Sequence, residues 1–384
     1  MKFFTRFLEP PEHSFFLFGP RGTGKTHWTR RLLPGALFVD LLDPVQQRRY
    51  LARPESLEQL IASRPGCTDV VIDEIQSCPK LLDVVHRLIE RGQGPRFVLT
   101  GSSARKIRRA DVNLLAGRAL RCTMHPFMAA ELGDRFDLVR ALEVGLVPLV
   151  VAAEQPDEVV RHYVDLYVQA EVRAEGLVRR LDDFARFLEA ISFSHGSVLN
   201  VANVARECEV GRQTVESYII ILEDLLLAVR LPVFSRRAAR ALISHPKLYL
   251  FDCGVFRSLR PRGPLDRAEE ISGVALEGLV FQHLRAWNAY RGDRNRLYFW
   301  RTRGGSEVDF VVYGEDGLFA IEVKNAEHVH GKDLRALKSF ARDYPECRAA
   351  LLHRGRERLR VDDILCLPCE EFLRELVPSE NLPI

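Results

Sequence analysis

A chain of 384 residues and 43.8 kDa exceeds the size at which a single hydrophobic core stops growing, so about two or three domains are expected. With 47% apolar residues, 28% charged residues and a mean hydropathy of -0.09, the composition excludes the disordered and fibrous classes. The formal net charge of +3 permits contact with DNA or RNA without demanding it.

The first segment is charged at Lys2, Arg6 and Glu9 and carries Pro10-Pro11, which does not read as a secretory signal. No apolar run approaches the roughly 20 residues of a membrane helix. A cytoplasmic protein without a membrane partner is the expectation. The eight cysteines are scattered, unlike a disulfide framework, and Cys366 and Cys369 have ligand spacing but no second pair nearby.

Phe15-Phe-Leu-Phe18 is a short, fully apolar run and reads as a buried parallel strand. It runs directly into Gly19-Pro20-Arg21-Gly22-Thr23-Gly24-Lys25-Thr26, the complete phosphate-binding loop pattern, followed by a helix-compatible stretch through Leu33. The glycines let backbone amides face the phosphates, and the helix presents its positive end to them. Lys25 is expected to reach the terminal phosphates and Thr26 to place its hydroxyl on magnesium, with ATP as the nucleotide.

The second magnesium contact should be a carboxylate ending a neighbouring strand. Asp69-Val-Val-Ile-Asp-Glu74 supplies it: Asp73 is the candidate for the metal, and Glu74 for polarising the attacking water. Lys80 to Arg91 carries a helical apolar stripe. Arg96-Phe-Val-Leu-Thr100 is a third strand, ending in Gly101-Ser102-Ser103, where Ser102 either senses the terminal phosphate or caps the next helix. This alternation predicts an α/β sandwich with a mostly parallel sheet.

Together with Val71-Ile-Asp-Glu-Ile-Gln76, Leu99-Thr-Gly-Ser-Ser103 and Leu114-Leu-Ala-Gly-Arg-Ala119, the loop resembles the bacterial and archaeal AAA+-type ATPases that carry a domain of unknown function behind the nucleotide-binding module. The resemblance implies ATP binding and hydrolysis. It also makes Arg118 a finger or sensor toward the terminal phosphate, acting in cis or from a neighbouring copy, and leaves oligomeric state open.

After Pro126 the pattern turns helical, over Ala130 to Leu142 and Glu158 to Glu175, then in three shorter segments between Phe184 and Leu227. The last two flank a turn at Glu209 to Gln213 and resemble a winged helix-turn-helix that would offer Arg212, Gln213 and Glu216 to DNA, although the element is rich in acids. His195 reads as a loop or cap residue.

In the last third, Ala275 to Leu284 reads as an amphipathic helix and Leu297 to Trp300 as a strand. Glu307 to Val312 and Leu318 to Lys324 follow as strands joined by a turn. This segment resembles the PD-(D/E)-x-K nuclease superfamily, which implies that Asp309 and Glu322 hold magnesium, Lys324 orients water and Glu277 adds a carboxylate. A Lys324–Asp309 salt bridge without catalysis satisfies the same residues. The expected architecture is therefore α/β: a P-loop ATPase core at 1–127, a helical, winged-helix module at 128–244 and a small nuclease-like α/β domain at 245–384. Two functions fit it: an ATPase coupled to a nucleic-acid or defence task, or a nucleotide-dependent switch that binds a protein partner.

Overall fold

The computed structural model describes residues 4–92, 94–103, 119–168, 172, 178, 180–236 and 242–384. They cluster in two compact units, one of residues 8–125 with 224–226 and one of the remainder.

The first unit is built on five parallel strands: β1 (Phe15–Phe18), β2 (Leu37–Asp40), β3 (Asp69–Asp73), β4 (Arg96–Gly101) and β5 (Leu120–Thr123). Their order in the sheet is β2-β3-β4-β1-β5. Burial follows position. All four residues of β1 are buried because the strand lies between β4 and β5 and is covered on both faces, whereas edge strand β2 alternates and edge strand β5 is partly exposed. Those two edge strands are the ones the apolar-run signal does not reveal. Between β3 and β4, the helix α1 (Leu81–Glu90) buries Leu81, Leu82, Val84 and Val85 in the core with Phe16, Phe18, Val70, Ile72, Phe97 and Leu99.

In the second unit the expected helix over Ala130–Leu142 is broken: Ala129–Leu132 ends at Gly133, whose φ of 55° is left-handed, and a new helix α2 (Leu138–Val144) starts behind the cap of Asp137. Helix α3 (Leu181–Ser192), strand β6 (Ser197–Val198), helices α4 (Val201–Glu207) and α5 (Arg212–Asp224) and strands β7 (Ala228–Leu231) and β8 (Lys247–Leu250) follow, the three strands forming an antiparallel sheet ordered β6-β8-β7. Then come α6 (Cys253–Leu259) and the long α7 (Ala268–Tyr290). A six-stranded mixed sheet follows, of β9 (Asn295–Arg301), β10 (Glu307–Gly314), β11 (Gly317–Val323), β12 (Arg348–His353), β13 (Leu359–Val361) and β14 (Ile364–Pro368), in the order β13-β14-β12-β11-β10-β9.

The boundary expected at 244/245 falls inside this unit. Strands β7 and β8 pair across it with Val229 opposite Tyr249, and Phe234 donates its N–H to Phe299 O at 2.7 Å, joining the helical segment to the C-terminal sheet. Two buried side chains add to this: Asp252 accepts from Leu146 N at 2.8 Å, and His283 Nε2 accepts from Ala129 N at 2.9 Å. The start of the chain also belongs here, since Glu131 accepts from Arg6 Nε at 3.0 Å and from Phe7 N at 2.8 Å.

Helix α7 corrects a second expectation. Within Ala275–Leu284 every residue but Glu277 is buried, so the helix is enclosed by protein on all sides instead of amphipathic. One contact there is very close. Gly278 faces His195, and a Cβ at 278 would lie 2.3 Å from His195 Nε2. The ring cannot retreat: it stacks on Phe256 at 4.2 Å and its Nδ1 accepts from Leu250 N at 2.9 Å. Burial holds His195 neutral, with its pKa pushed down to about 3, so it is a packed core residue. Gly278→Ala should destabilise the protein by about 1–3 kcal/mol through overpacking, read as a lower chemical-denaturation midpoint at unchanged slope.

Candidate functional site

The P-loop wraps from β1 into the helix Lys25–Leu32. Gly22 and Gly24 have φ of 77° and 90°, a left-handed backbone that turns successive amides toward one point. Gly19 is required for another reason: a Cβ there would meet Met124 O at 2.5 Å. Lys25 is 5% exposed and folds back over the loop, donating to Gly19 O at 2.7 Å and Pro20 O at 3.2 Å. Its ammonium therefore waits beside the loop amides, where a phosphate oxygen would exchange for the carbonyls.

The expected partner of Thr26 is in place. Thr26 Oγ1 donates to Asp73 Oδ2 at 2.7 Å, and Thr100 donates to the other oxygen of the same carboxylate. Burial raises the Asp73 pKa, opposed by the hydrogen bonds from Thr100 and Thr26. A hydroxyl and a buried carboxylate meeting at the mouth of a phosphate loop are the hard oxygen donors that suit magnesium, so the residues fit that ion.

Glu74 takes a left-handed backbone, with φ of 57°, that turns it off the end of β3. Its N–H donates to Thr100 Oγ1 at 3.2 Å, and its carboxylate accepts from Gln76 and from Ser102 Oγ at 3.3 Å. Gln76 Nε2 also donates to Ser102 Oγ at 3.0 Å. Gly101 makes room for this group, since a Cβ there would lie 2.8 Å from Gln76 Oε1. Ser102 is thereby joined to the water-polarising candidate, and Gln76 and Thr100 enter the site as residues that sequence reasoning did not flag. Arg118 lies outside the described residues.

The C-terminal residues are brought together differently from the nuclease pattern. In the β10–β11 pair Phe310 lies opposite Ile321, which sets Asp309 opposite Glu322, and Asp309 Oδ2 accepts from Val323 N at 2.9 Å. A register shift between Val308 and Val311 against β9 marks a bulge at Asp309, the kind of irregularity that re-aims a side chain. Lys324 pairs with Glu322 at 2.5 Å instead of with Asp309.

The cation on Asp309 is Lys247, at the head of β8, which no sequence signal had singled out. Its ammonium lies 2.6 Å from Glu307, 2.9 Å from Glu277 and 3.4 Å from Asp309, and its side chain is 2% exposed. Tyr249 donates its hydroxyl to Glu277 at 2.5 Å, and Arg301 pairs with Glu307 at 3.0 Å. Burial alone would push Lys247 down, but Glu277, Tyr249, Asp309 and Glu307 hold it well above its ordinary range. Burial and then Asp309 raise Glu277 to about 7, against the pull of Lys247. The same two causes raise Glu322 well above the carboxylate range, opposed by Lys324.

Three of the carboxylates thus close on an ammonium and the fourth on Lys324. Among the described residues no group of three or more His, Cys, Asp or Glu side chains is arranged to hold a metal ion. The expected magnesium site of Asp309 and Glu322 does not fit this geometry, because Lys247 already supplies the positive charge. His328 and His330, just beyond Lys324, are exposed.

The N-terminal unit thus has a P-loop on a five-stranded parallel α/β sheet. Residues 12–133 match the profile of an AAA domain, and residues 135–266 and 272–372 match two families each described as a domain of unknown function. Along most of its length the chain is similar to uncharacterised proteins of Mycobacterium tuberculosis and Mycobacterium bovis, each 26% identical over 367 residues covering 93% of this chain and 80% of the relative. Among solved structures, the ADP form of the Aeropyrum pernix ORC2 protein aligns at 15% identity with a TM-score of 0.32, over 70% of this chain and 88% of that one.

Proposed function

We propose that the protein is a magnesium-dependent ATPase whose nucleotide state controls the second unit. The observation that carries this is the 2.7 Å contact of Thr26 with Asp73 at the mouth of the P-loop, with Glu74 held one residue further by Gln76 and Ser102. Lys25 and the loop amides bind and orient the triphosphate. Thr26 and Asp73 would hold the magnesium, which when bound neutralises charge developing on the phosphate oxygens. Glu74 aligns a water and accepts its proton as the water oxygen bonds to the terminal phosphorus and the bond to the bridging oxygen breaks, leaving ADP and phosphate. Gln76 and Ser102 keep the Glu74 carboxylate aimed. Arg118 is the proposed source of a further positive charge on the terminal phosphate, from the same chain or from a neighbour.

Glu74→Gln should keep ATP affinity within about two-fold while slowing turnover by about 10²–10⁴-fold, since the amide is nearly isosteric but cannot take a proton. Steady-state phosphate release beside an equilibrium titration decides it. Turnover close to that of the parent would make Glu74 structural.

For the second unit, the ammonium of Lys247 among Glu277, Glu307 and Asp309 favours the nucleotide-dependent switch over a metal-dependent nuclease. Arg212 and Gln213, exposed at the start of α5, are the proposed DNA contact if the partner is a nucleic acid, and a protein partner is the alternative. Hydrolysis stimulated by DNA would select the first partner class, and indifference to DNA the second. Among the described residues no helix is long and apolar enough to cross a membrane.

A further inference from the structure

A cleft of ≈ 290 Å³ on the second unit shares no lining residue with the two sites described above and is lined by Arg161, Arg257 and Arg262 together with Ser258, Glu143 and Asp157. The two acids form no ion pair with these arginines, although Asp157 feels the charge of Arg161 and Arg257 that of Glu143. Both are taken by Arg140, whose Nη2 lies 2.7 Å from Asp157 and Nη1 3.4 Å from Glu143. Four guanidiniums therefore face two carboxylates, and none of the three lining arginines forms an ion pair among the described residues.

Their remaining bonds hold them in place without neutralising them. Arg161 Nε donates to Asp157 O at 3.1 Å, and Arg262 Nη2 donates to Arg257 O at 3.4 Å. Arg257 Nε is buried and has no hydrogen-bond partner, an unmet donor at the cleft wall. Burial, then the neighbouring Arg262, lower the Arg257 pKa, opposed by Cys253 and by the Glu143 carboxylate.

The geometry points to a binding site for a phosphate-class oxyanion in this cleft, carried by Arg161, Arg257 and Arg262 with the Ser258 hydroxyl. A tetrahedral dianion matches the two uncompensated positive charges and offers enough acceptors for several guanidinium forks, where a planar carboxylate would leave donors unmet. The ligand is either a free phosphate compound, which brings both negative charges itself, or two consecutive phosphodiesters of a nucleic acid, which bring one each. The inference does not rest on the ATPase reading.

The test uses the full chain carrying Lys25→Ala, so that the P-loop contributes little, titrated calorimetrically with inorganic phosphate and with a single-stranded DNA oligonucleotide. Arg262 is exposed and Arg257 half-buried, so Arg262→Gln guards against a folding defect in Arg257→Gln. Each change should weaken binding by at least about tenfold. A loss confined to inorganic phosphate identifies a free phosphate ligand, and a loss for the oligonucleotide identifies a nucleic acid; both support the site. No binding of either probe, or affinities within about two-fold of the parent in both variants, would overturn it.

Discussion

Lys25→Ala should weaken magnesium-ATP binding by more than about a hundredfold. The ammonium sits 2.7 Å from Gly19 O and is almost wholly buried within the loop, so it is already ordered where the terminal phosphates would arrive. Hydrogen bonds to charged groups contribute about 1.5–3 kcal/mol each, and two of them to phosphate oxygens exceed the roughly 2.8 kcal/mol that a hundredfold represents. Lys25→Arg should not restore the affinity, because a planar fork cannot occupy the space of a point charge folded over two carbonyls. Calorimetry with ATP and magnesium measures the effect, and far-UV circular dichroism checks that the unit still folds. Affinity unchanged in a folded variant would remove Lys25 from the site.

The parts of this site that could be read from the chain are those whose chemistry is contiguous. Gly19 to Thr26 form one uninterrupted pattern, and Asp73 and Glu74 end an apolar strand, so local sequence identifies them. Gln76 and Thr100 could not be found that way. They acquire a role only because β3 and β4 are neighbours, with Ile72 opposite Leu99, which brings Thr100 onto Asp73 and Ser102 onto Gln76. Edge strand β5 escaped because Leu120-Arg-Cys-Thr123 carries no continuous apolar run, and β2 because its run, Leu37-Phe-Val39, is short. In the second unit the three acids Glu277, Asp309 and Glu322 and Lys324 were legible as a pattern, but their partners were not. Lys247 precedes Asp309 by 62 residues, and only the β7–β8 pairing and the packing of α7 place it among them. Strands β7 and β8 pair across 244/245, and pairing across a Pro- and Arg-rich stretch is likewise not a local property.

Lys247→Met carries the largest expected effect on stability. Methionine keeps most of the length of the side chain but removes the charge that Glu277, Glu307 and Asp309 share. Removing one partner of a buried ion group typically costs about 3–5 kcal/mol, which for a unit of this size lowers the melting temperature by roughly 10 °C. The loss should depend on pH, with a sign set by Glu277. Its folded pKa of about 7 lies above the ordinary 4.5, so the native state holds a proton there that the unfolded chain releases sooner. That contribution is complete below the unfolded pKa and is lost as pH rises through about 7. A protonated Glu277 does not need Lys247, so the variant should be closer to the parent at pH 5 than at pH 8. Freed of the ammonium, the three carboxylates should also accept a divalent cation: in a Lys25→Ala background, manganese should raise the melting temperature of the Lys247→Met protein and leave that of the Lys247 protein unchanged. A manganese shift already present with Lys247 in place, together with equal losses at pH 5 and pH 8, would restore the metal site and discard the internal counter-ion.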